Sequence, residues 1–548
     1  MNDLLPPNFD FNARRSPVFG QQGMIAASQP LAVAAGLELL RQGGSAADAA
    51  IAVAAALNVT EPTSTGLGGD CFALYYQADT QQISALNGSG RAPAALTLDR
   101  LQEAGLMPAW PPHHPLTITV PGACAGWCDL HERFGRLPLT QVLAPAIHLA
   151  EQGFPVSPIT AYFWQRAAQG LLRQACNGVE LTLDGRGPRP GEIFRNPGLA
   201  RTLRCIAEGG RQAFYQGEIA EAIAAIVREA GGCLTQADLA AHTSTWQTPL
   251  SLPYRQQQVW ECPPNGQGLA ALIALNILAN FDLSALPPLS PARLHLQIEA
   301  LRLAFADAFA YIADPAFAPA PLSELLDAHY GAQRARLIHP QRALPEVTHG
   351  APPAVSDTVY FCVVDGQGNA CSFINSNYMG FGTGIVPRGY GFSLQNRGHN
   401  FSLDPTSVNA LAPGKRPYHT IIPALLTDAT GQLLGPFGVM GGFMQPQGHV
   451  QVAIALCDDH LDPQAALERP RFCLEPLQPN APVTVALEEG IPLPVMSALA
   501  EMGHRIRPVS GLSRSLFGRG QIILRDPQTG VLCGGSDPRA DGCAMPLG

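Results

Sequence analysis

Residues 357–376 read DTVYFCVVDGQGNACSFINS, and the fold turns on this stretch. TVYFCVVD alternates as a strand does, GQGN at 366–369 supplies turn residues, and ACSFINS at 370–376 is a second strand-like run. Two such runs around a short glycine-bearing turn predict a β-hairpin. Just upstream, GAPPAV at 350–355 is a proline-containing linker and the clearest break in the chain. Thr358 therefore reads as the first residue of the first strand after an extended segment in which a backbone bond could be cut.

Upstream of the linker, Leu139 to Ala308 reads as mainly helical, with loops at GRGPRPGE (185–192) and ECPPNGQG (261–268). Pro30 to Arg41 has helical composition and stops at Gly43-Gly44. Ser45 can then cap an alanine-rich second helix through Val59 by accepting the free amide hydrogens of its first turn. GLGGDCFALYYQ (66–77) follows as a glycine loop and a strand over Cys71 to Tyr76, with QQISALNGSG (81–90) as its hairpin partner. Downstream of the linker, HTIIPALLTD (419–428), QLLGPFGVM (432–440) and GQIILRD (520–526) read as strands and Met444 to Cys457 as a helix. A helix-rich first half before a strand-rich second half suits layered α/β packing.

With 548 residues, 46% hydrophobic and 14% charged, the chain suits a large buried interior. A net charge of -9, with arginines scattered in ones and twos, argues against a nucleic-acid partner. Lys415 is the only lysine, so a Schiff-base lysine could be no other residue. The thirteen cysteines include no CxxC pair, which indicates neither a zinc ribbon nor a redox motif and is read as a reducing, cytoplasmic setting. The first twenty residues lack the basic start and apolar core of a signal peptide. Ala46 to Val59 is short, carries Asp48 and is not read as a membrane span.

GLGGD lacks the spacing of a dinucleotide fingerprint and follows a helix; GxxxxGK[ST] and GxSxG are absent. His113 and His114 sit between prolines and read as an exposed loop rather than a metal site, so neither metal nor cofactor is expected. Thr358 gains interest from its linker. A threonine hydroxyl is a poor nucleophile at neutral pH and needs a base. If the chain is cut between Asp357 and Thr358, the freed α-amine, with a reference pKa of about 7.7–8.0, supplies that base within the same residue.

The chain resembles the γ-glutamyltransferases, a family of the amino-terminal-nucleophile hydrolase class. The segments that carry this are GGSAADAAIAVAAALNVTEPTSTGLGGDCF (43–72), LTITVPGACAGW (116–127), LAPAIHLAEQGFPVS (143–157), DTVYFCVVDGQGNACS (357–372), FGTGIV (381–386), APGKRP (412–417), FGVMGG (437–442) and DPRADGCA (537–544). The resemblance runs from about Gly23 to the carboxyl end. It implies a four-layer αββα sandwich, self-cleavage into a large chain 1–357 and a small chain 358–548, and acyl transfer through a threonyl ester. The two chains would remain one interwoven domain, a heterodimer, with a dimer of heterodimers left open.

Carried over position by position, the resemblance makes Thr358 the nucleophile and Ser376 the hydroxyl that steadies its amine. Gly441 and Gly442 become the glycine pair whose amides hold the oxyanion. The departures bear on substrate. The family's ammonium-binding aspartate falls on Asn400, its neighbouring glutamine on Arg397, and an asparagine that helps hold the ammonium on Tyr378. The carboxylate-binding serine pair falls on His419 and Thr420, and the carboxylate-binding arginine on Ser89, with Arg91 two residues later. An ammonium group without a counter-charge is costly to bury, which disfavours glutathione-like substrates. What remains suggests a small anionic amide gripped by arginine. The pattern RGHNFSL…PGKRPYHTIIP resembles the branch containing oxamate amidohydrolase. The alternatives are a γ-glutamyltransferase or γ-glutamyl hydrolase, a cephalosporin-acylase-like enzyme, and an uncleaved, inactive binding protein.

Overall fold

The computed structural model describes residues 15–345, 358–475 and 483–548; the linker 350–355 and Asp357 lie outside the described residues. Two seven-stranded antiparallel sheets form the centre. The first runs from edge to edge through Val18–Gly20, Leu532–Ser536, Arg519–Arg525, Leu433–Met440, Ala424–Asp428, Gln257–Glu261 and Leu250–Tyr254. The second runs through Cys543–Pro546, Met24–Ala27, Val359–Val364, Ala370–Ser376, Asp70–Gln77, Gln82–Gly88 and Thr245–Gln247.

The strand Val359–Val364 shows why the layers form. Alternate residues of a strand point to opposite faces. Val359, Phe361 and Val363 join a buried cluster with Ala50, Ile51 and Ala54 of the helix Ala46–Thr60. Tyr360, Cys362 and Val364 join a different cluster with Leu425, Met440 and Ile523 of the facing sheet. Both faces are covered, so the run is apolar at every position. The helices Pro30–Arg41, Ala46–Thr60, Ala123–Phe134 and Leu139–Gln152 cover the second sheet. Gly268–Leu278, Pro291–Tyr311 and Met444–Cys457 cover the first. The result is the four-layer αββα sandwich.

The helix Ala46–Thr60 is buried along its whole length, and its small side chains allow neighbours to approach. Its start is fixed as expected: Ser45 accepts from the Asp48 amide, while the Asp48 carboxylate accepts from the Ser45 amide.

Three features differ from the sequence reading. The stretch 139–308 is not wholly helical, because Thr245–Gln247, Leu250–Tyr254 and Gln257–Glu261 are strands. The hairpin joining the last two turns through Arg255 at φ 58, a left-handed conformation that glycine or asparagine usually marks, so no turn signal stood in the sequence. In 419–428 the strand begins only at Ala424, since Pro423 has no amide hydrogen for a ladder. The first strand after the linker begins at Val359, one residue beyond Thr358. Among the described residues no helix is long and apolar enough to cross a membrane, and all thirteen cysteines are free thiols.

The sheets meet closely at Gly438. A Cβ there would lie 2.6 Å from the Tyr360 ring, whose hydroxyl is tied to Ser372 Oγ at 2.8 Å. The ring cannot yield without breaking that bond. Gly438→Ala is expected to destabilise the protein by roughly 1–3 kcal/mol through overpacking. Scanning calorimetry of wild type and variant checks this, and an unchanged midpoint would contradict the close approach.

Candidate active site

Hairpin register makes the first placement. Val359 pairs with Asn375 and Val364 with Ala370, which sets Thr358 across from Ser376. Their hydroxyl oxygens lie 3.0 Å apart, and both residues are fully buried. The turn that holds this register is organised by Asp365 Oδ1, which accepts from the amides of Gln367 at 2.9 Å and Asn369 at 3.0 Å. Ser376 Oγ accepts from the Tyr378 amide at 2.8 Å and from Arg397 Nη2 at 3.3 Å. The hydrogen bond between Thr358 Oγ1 and Ser376 Oγ can run in either direction, since each hydroxyl both donates and accepts.

After Ser376 the chain turns sharply. Tyr378 has φ 78, where side chains are rarely found, and this lays its ring 4.3 Å from the Arg397 guanidinium carbon. Arg397 stands on the short 3-10 turn Arg397–Asn400 and donates from Nη1 to Thr420 Oγ1 at 2.7 Å. It is fully buried, and Nε has no hydrogen-bond partner. No carboxylate among the described residues forms an ion pair with it. Burial pushes its pKa down to about 10 while Asp70 pulls it back up, so it stays cationic at neutral pH. A buried cation without a direct counter-ion is unfavourable by several kcal/mol in order of magnitude. An anion placed beside it would relieve that cost.

The carboxylate that Arg397 feels is fully engaged elsewhere. Asp70 Oδ1 accepts from the amides of Gly90 and Gly122 and from Gln395 Nε2, each at 3.0 Å. Its Oδ2 lies 2.9 Å from His419 Nε2. The Ile421 amide donates to His419 Nδ1 at 3.4 Å, which assigns the ring hydrogen to Nε2. Burial, and then the nearby Arg397, lower the His419 pKa to about 3, so the ring is neutral.

The loop 262–267 ties the remaining wall together. Gln267 Nε2 donates to Thr420 O at 2.6 Å and to Gly442 O at 2.8 Å. Asn265 Nδ2 donates to Pro417 O at 2.8 Å. Gly441 and Gly442, at φ 137 and φ 60, occupy conformations closed to most side chains between the strand Leu433–Met440 and the helix Met444–Cys457. The Met444 amide donates to Gly441 O and the Gln445 amide to Gly442 O, which orients both peptides at the head of that helix.

The fold thus links Thr358, Ser376, Tyr378, Arg397 and Thr420 by direct contacts, with His419 beside Thr420 and Gly442 joined through Gln267. Asn400 lies one short turn from Arg397 and donates to Tyr418 O at 3.1 Å. Arg91 stands apart: it is partly exposed and donates to Thr243 O at 3.3 Å, while Ser89 is buried beside Asn87 and Asn265. Lys415 Nζ donates to Val408 O and Ala410 O and so holds a loop. His113 contacts Gly382 O and His114 accepts from the Leu116 amide, so neither is set for a shared ligand.

Sequence reasoning missed Asp70, Gln267, Asn265 and Gln395. A lone acid between a glycine loop and an apolar strand was the one available signal. Among the described residues, His295, Glu299 and His504 bring metal-ligating atoms together. Those atoms already serve one another, His339 O, Arg302 and the Leu344 amide.

Comparison with family profiles matches residues 32–547 to Gamma-glutamyltranspeptidase. A Bacillus subtilis protein named glutathione hydrolase-like YwrD proenzyme is 37% identical over 96% of this chain and 99% of its own. The oxamate amidohydrolase proenzyme of Klebsiella pneumoniae is 34% identical over 95% and 98%. A crystal structure of the cephalosporin acylase from Bacillus halodurans superposes with a TM-score of 0.91 at 45% identity, covering 100% of this chain and 99% of that one.

Below its ordinary value of about 6.5, His419 takes a proton in the unfolded chain that the folded site refuses. Its contribution to stability is complete above that pH and is lost as pH falls toward about 3. Between pH 7 and 5 the loss should be on the order of 2 kcal/mol. Denaturant unfolding at both values is expected to show a smaller pH effect in His419→Gln. Equal slopes would mean that the ring charges freely in the folded state.

Proposed function

The chain belongs to the gamma-glutamyltranspeptidase family, and from that premise we propose that it is a self-processing amidohydrolase whose substrate is a small anionic amide, oxamate, converted to oxalate and ammonia. Scission between Asp357 and Thr358 yields chains 1–357 and 358–548 that stay together as a heterodimer. The freed α-amine of Thr358 takes the hydroxyl proton as Oγ1 attacks the amide carbonyl. The amides of Gly441 and Gly442 receive the developing oxyanion. Collapse of the intermediate expels ammonia with the relayed proton and leaves a threonyl ester. Water, deprotonated by the same amine, then releases the acid and restores Thr358.

One observation carries the choice of substrate: the buried guanidinium of Arg397, without a carboxylate partner among the described residues, shares Ser376 Oγ with Thr358. A carboxylate placed there would gain a charged partner in a dry site, with Thr420 beside it. A glutathione-like substrate would need a free carboxylate to meet its ammonium group. Asp70 is already bonded to Gly90, Gly122, Gln395 and His419, and Asn400 carries no charge. The second reading is an acylase resembling the cephalosporin-acting relative, favoured by that structural likeness; Arg397 would then take the carboxylate of a longer acyl group.

Purified protein incubated with oxamate should release ammonia, and its smaller chain should begin at Thr358 on amino-terminal sequencing. Thr358→Ala should remain one full-length chain and release none. Ammonia at the same rate from that variant would end the threonyl-ester reading. Arg397→Met should lower kcat/KM by roughly 10–100-fold, the loss of a charged hydrogen-bonded partner. It should also raise the melting temperature of the ligand-free protein, because an unpaired buried charge disappears. A lower melting temperature with unchanged kcat/KM would make Arg397 structural.

A further inference from the structure

We propose that the buried Asp70–His419 pair determines chain-length specificity: it seals the space behind Thr420 and keeps the Asp70 carboxylate off Arg397, so that the site takes only anionic amides whose carboxylate adjoins the scissile carbonyl or lies one carbon away. This rests on the reading of Thr358 as nucleophile and Arg397 as anion partner.

His419 is held from every side. Its amide donates to Asn265 O at 2.9 Å, and its carbonyl accepts from the Gln267 amide at 3.0 Å. Its ring is bonded to Asp70 through Nε2 and to the Ile421 amide through Nδ1, and it packs 4.9 Å from the Phe72 ring. With no exposed surface and both nitrogens occupied, it is a fixed neighbour of Thr420, whose hydroxyl accepts from Arg397.

Asp70 is equally fixed, by Gly90, Gly122 and Gln395. Its field reaches both Arg397 and His419, yet the neutral imidazole occupies its remaining oxygen. Were His419 absent, that oxygen would be free to neutralise Arg397. The pair thus leaves the cation in need of an outside anion.

Reach supplies the limit on length. Thr358 Oγ1 lies 3.0 Å and Arg397 Nη2 3.3 Å from the same Ser376 oxygen, so the two are separated by no more than the sum of those distances. An attacking oxygen needs about 3–3.5 Å to the carbonyl carbon, and an arginine–carboxylate contact about 2.7–2.9 Å. These two contacts alone span about that separation, so even the shortest acid must bind bent, and each added carbon increases the bend. A longer acid must buckle against Tyr378 or push into the Thr420–His419 wall.

The test uses mature, self-cleaved protein and three dicarboxylates, oxalate, malonate and succinate, read as shifts in melting temperature. Wild type should be stabilised most by oxalate, less by malonate, and by succinate not at all. His419→Ala frees Asp70 toward Arg397, so it should lose that ranking and show a smaller oxalate shift than wild type. His419→Gln can still donate to Asp70 and should keep the wild-type order. A succinate shift equal to that of oxalate in wild type would overturn the inference, even if His419→Ala fails to fold. So would a wild-type ranking in His419→Ala. Ammonia release from oxamate, measured in parallel, separates the two ideas. A preserved ranking without ammonia sinks the hydrolase reading alone, and ammonia without a ranking sinks this inference alone.

Discussion

The contact between the Thr358 and Ser376 hydroxyls is set by β-sheet register before any catalytic demand enters. Val359 faces Asn375 across the ladder, so the residue before one strand meets the last residue of the next. A slip of one position would send Val359, Phe361 and Val363 to the other face of the sheet. Those side chains are buried among the helices on one side, while Tyr360, Cys362 and Val364 are buried against the facing sheet on the other. Register is therefore locked by the packing of two separate cores. The 3.0 Å approach of the hydroxyls inherits that precision. The αββα architecture serves the site by making this hairpin immovable.

Around that fixed point the electrostatics run against stability. Arg397 is buried, cationic and without a carboxylate in contact among the described residues, while Asp70 is held by neutral donors. A direct pair between the two would relieve the guanidinium, and the neutral imidazole of His419 occupies the carboxylate instead. An interior arranged for stability alone would have joined opposite charges or replaced them with apolar groups. Strain in the backbone at Tyr378 points the same way, since its φ of 78 places the aromatic face under the cation.

Much of this was legible in the chain itself, for reasons that are local. Ser45 and Asp48 stand at capping-box spacing, and GQGN between two apolar runs announces its hairpin, so both elements lie where the pattern puts them. The strands at 245–261 were not legible, because their turn uses Arg255 where glycine or asparagine would have signalled it. At the site, Thr358, Ser376, Arg397, Tyr378 and Thr420 were named from the resemblance, and the fold brings their atoms into contact. Arg91 shows the limit of that approach: two residues from Ser89 in sequence, it reaches Thr243 at the surface instead. Asp70 and Gln267 escaped notice because their importance comes from partners distant in sequence, such as His419 and Gly442. No local pattern encodes such contacts.

The same geometry bears on the order of events. While Thr358 is joined to Asp357, its nitrogen is an amide with no lone pair to act as a base, so scission cannot use the chemistry proposed for substrate. In the intact chain the Thr358 hydroxyl meets Ser376 Oγ, which in turn accepts from Arg397 and from the Tyr378 amide. A cation one hydrogen bond behind the pair favours negative charge on their oxygens, in an interior where little water screens it. The proposed cleavage would then exchange an amide for an amine beside the same hydroxyl. The guanidinium is left facing outside anions, because the nearby carboxylate of Asp70 is already held by His419. On the proposed function, a site that first turns on its own backbone and afterwards on an anionic amide would need its positive charge unpaired at both stages, and the proposed role of Asp70 and His419 is to keep it so.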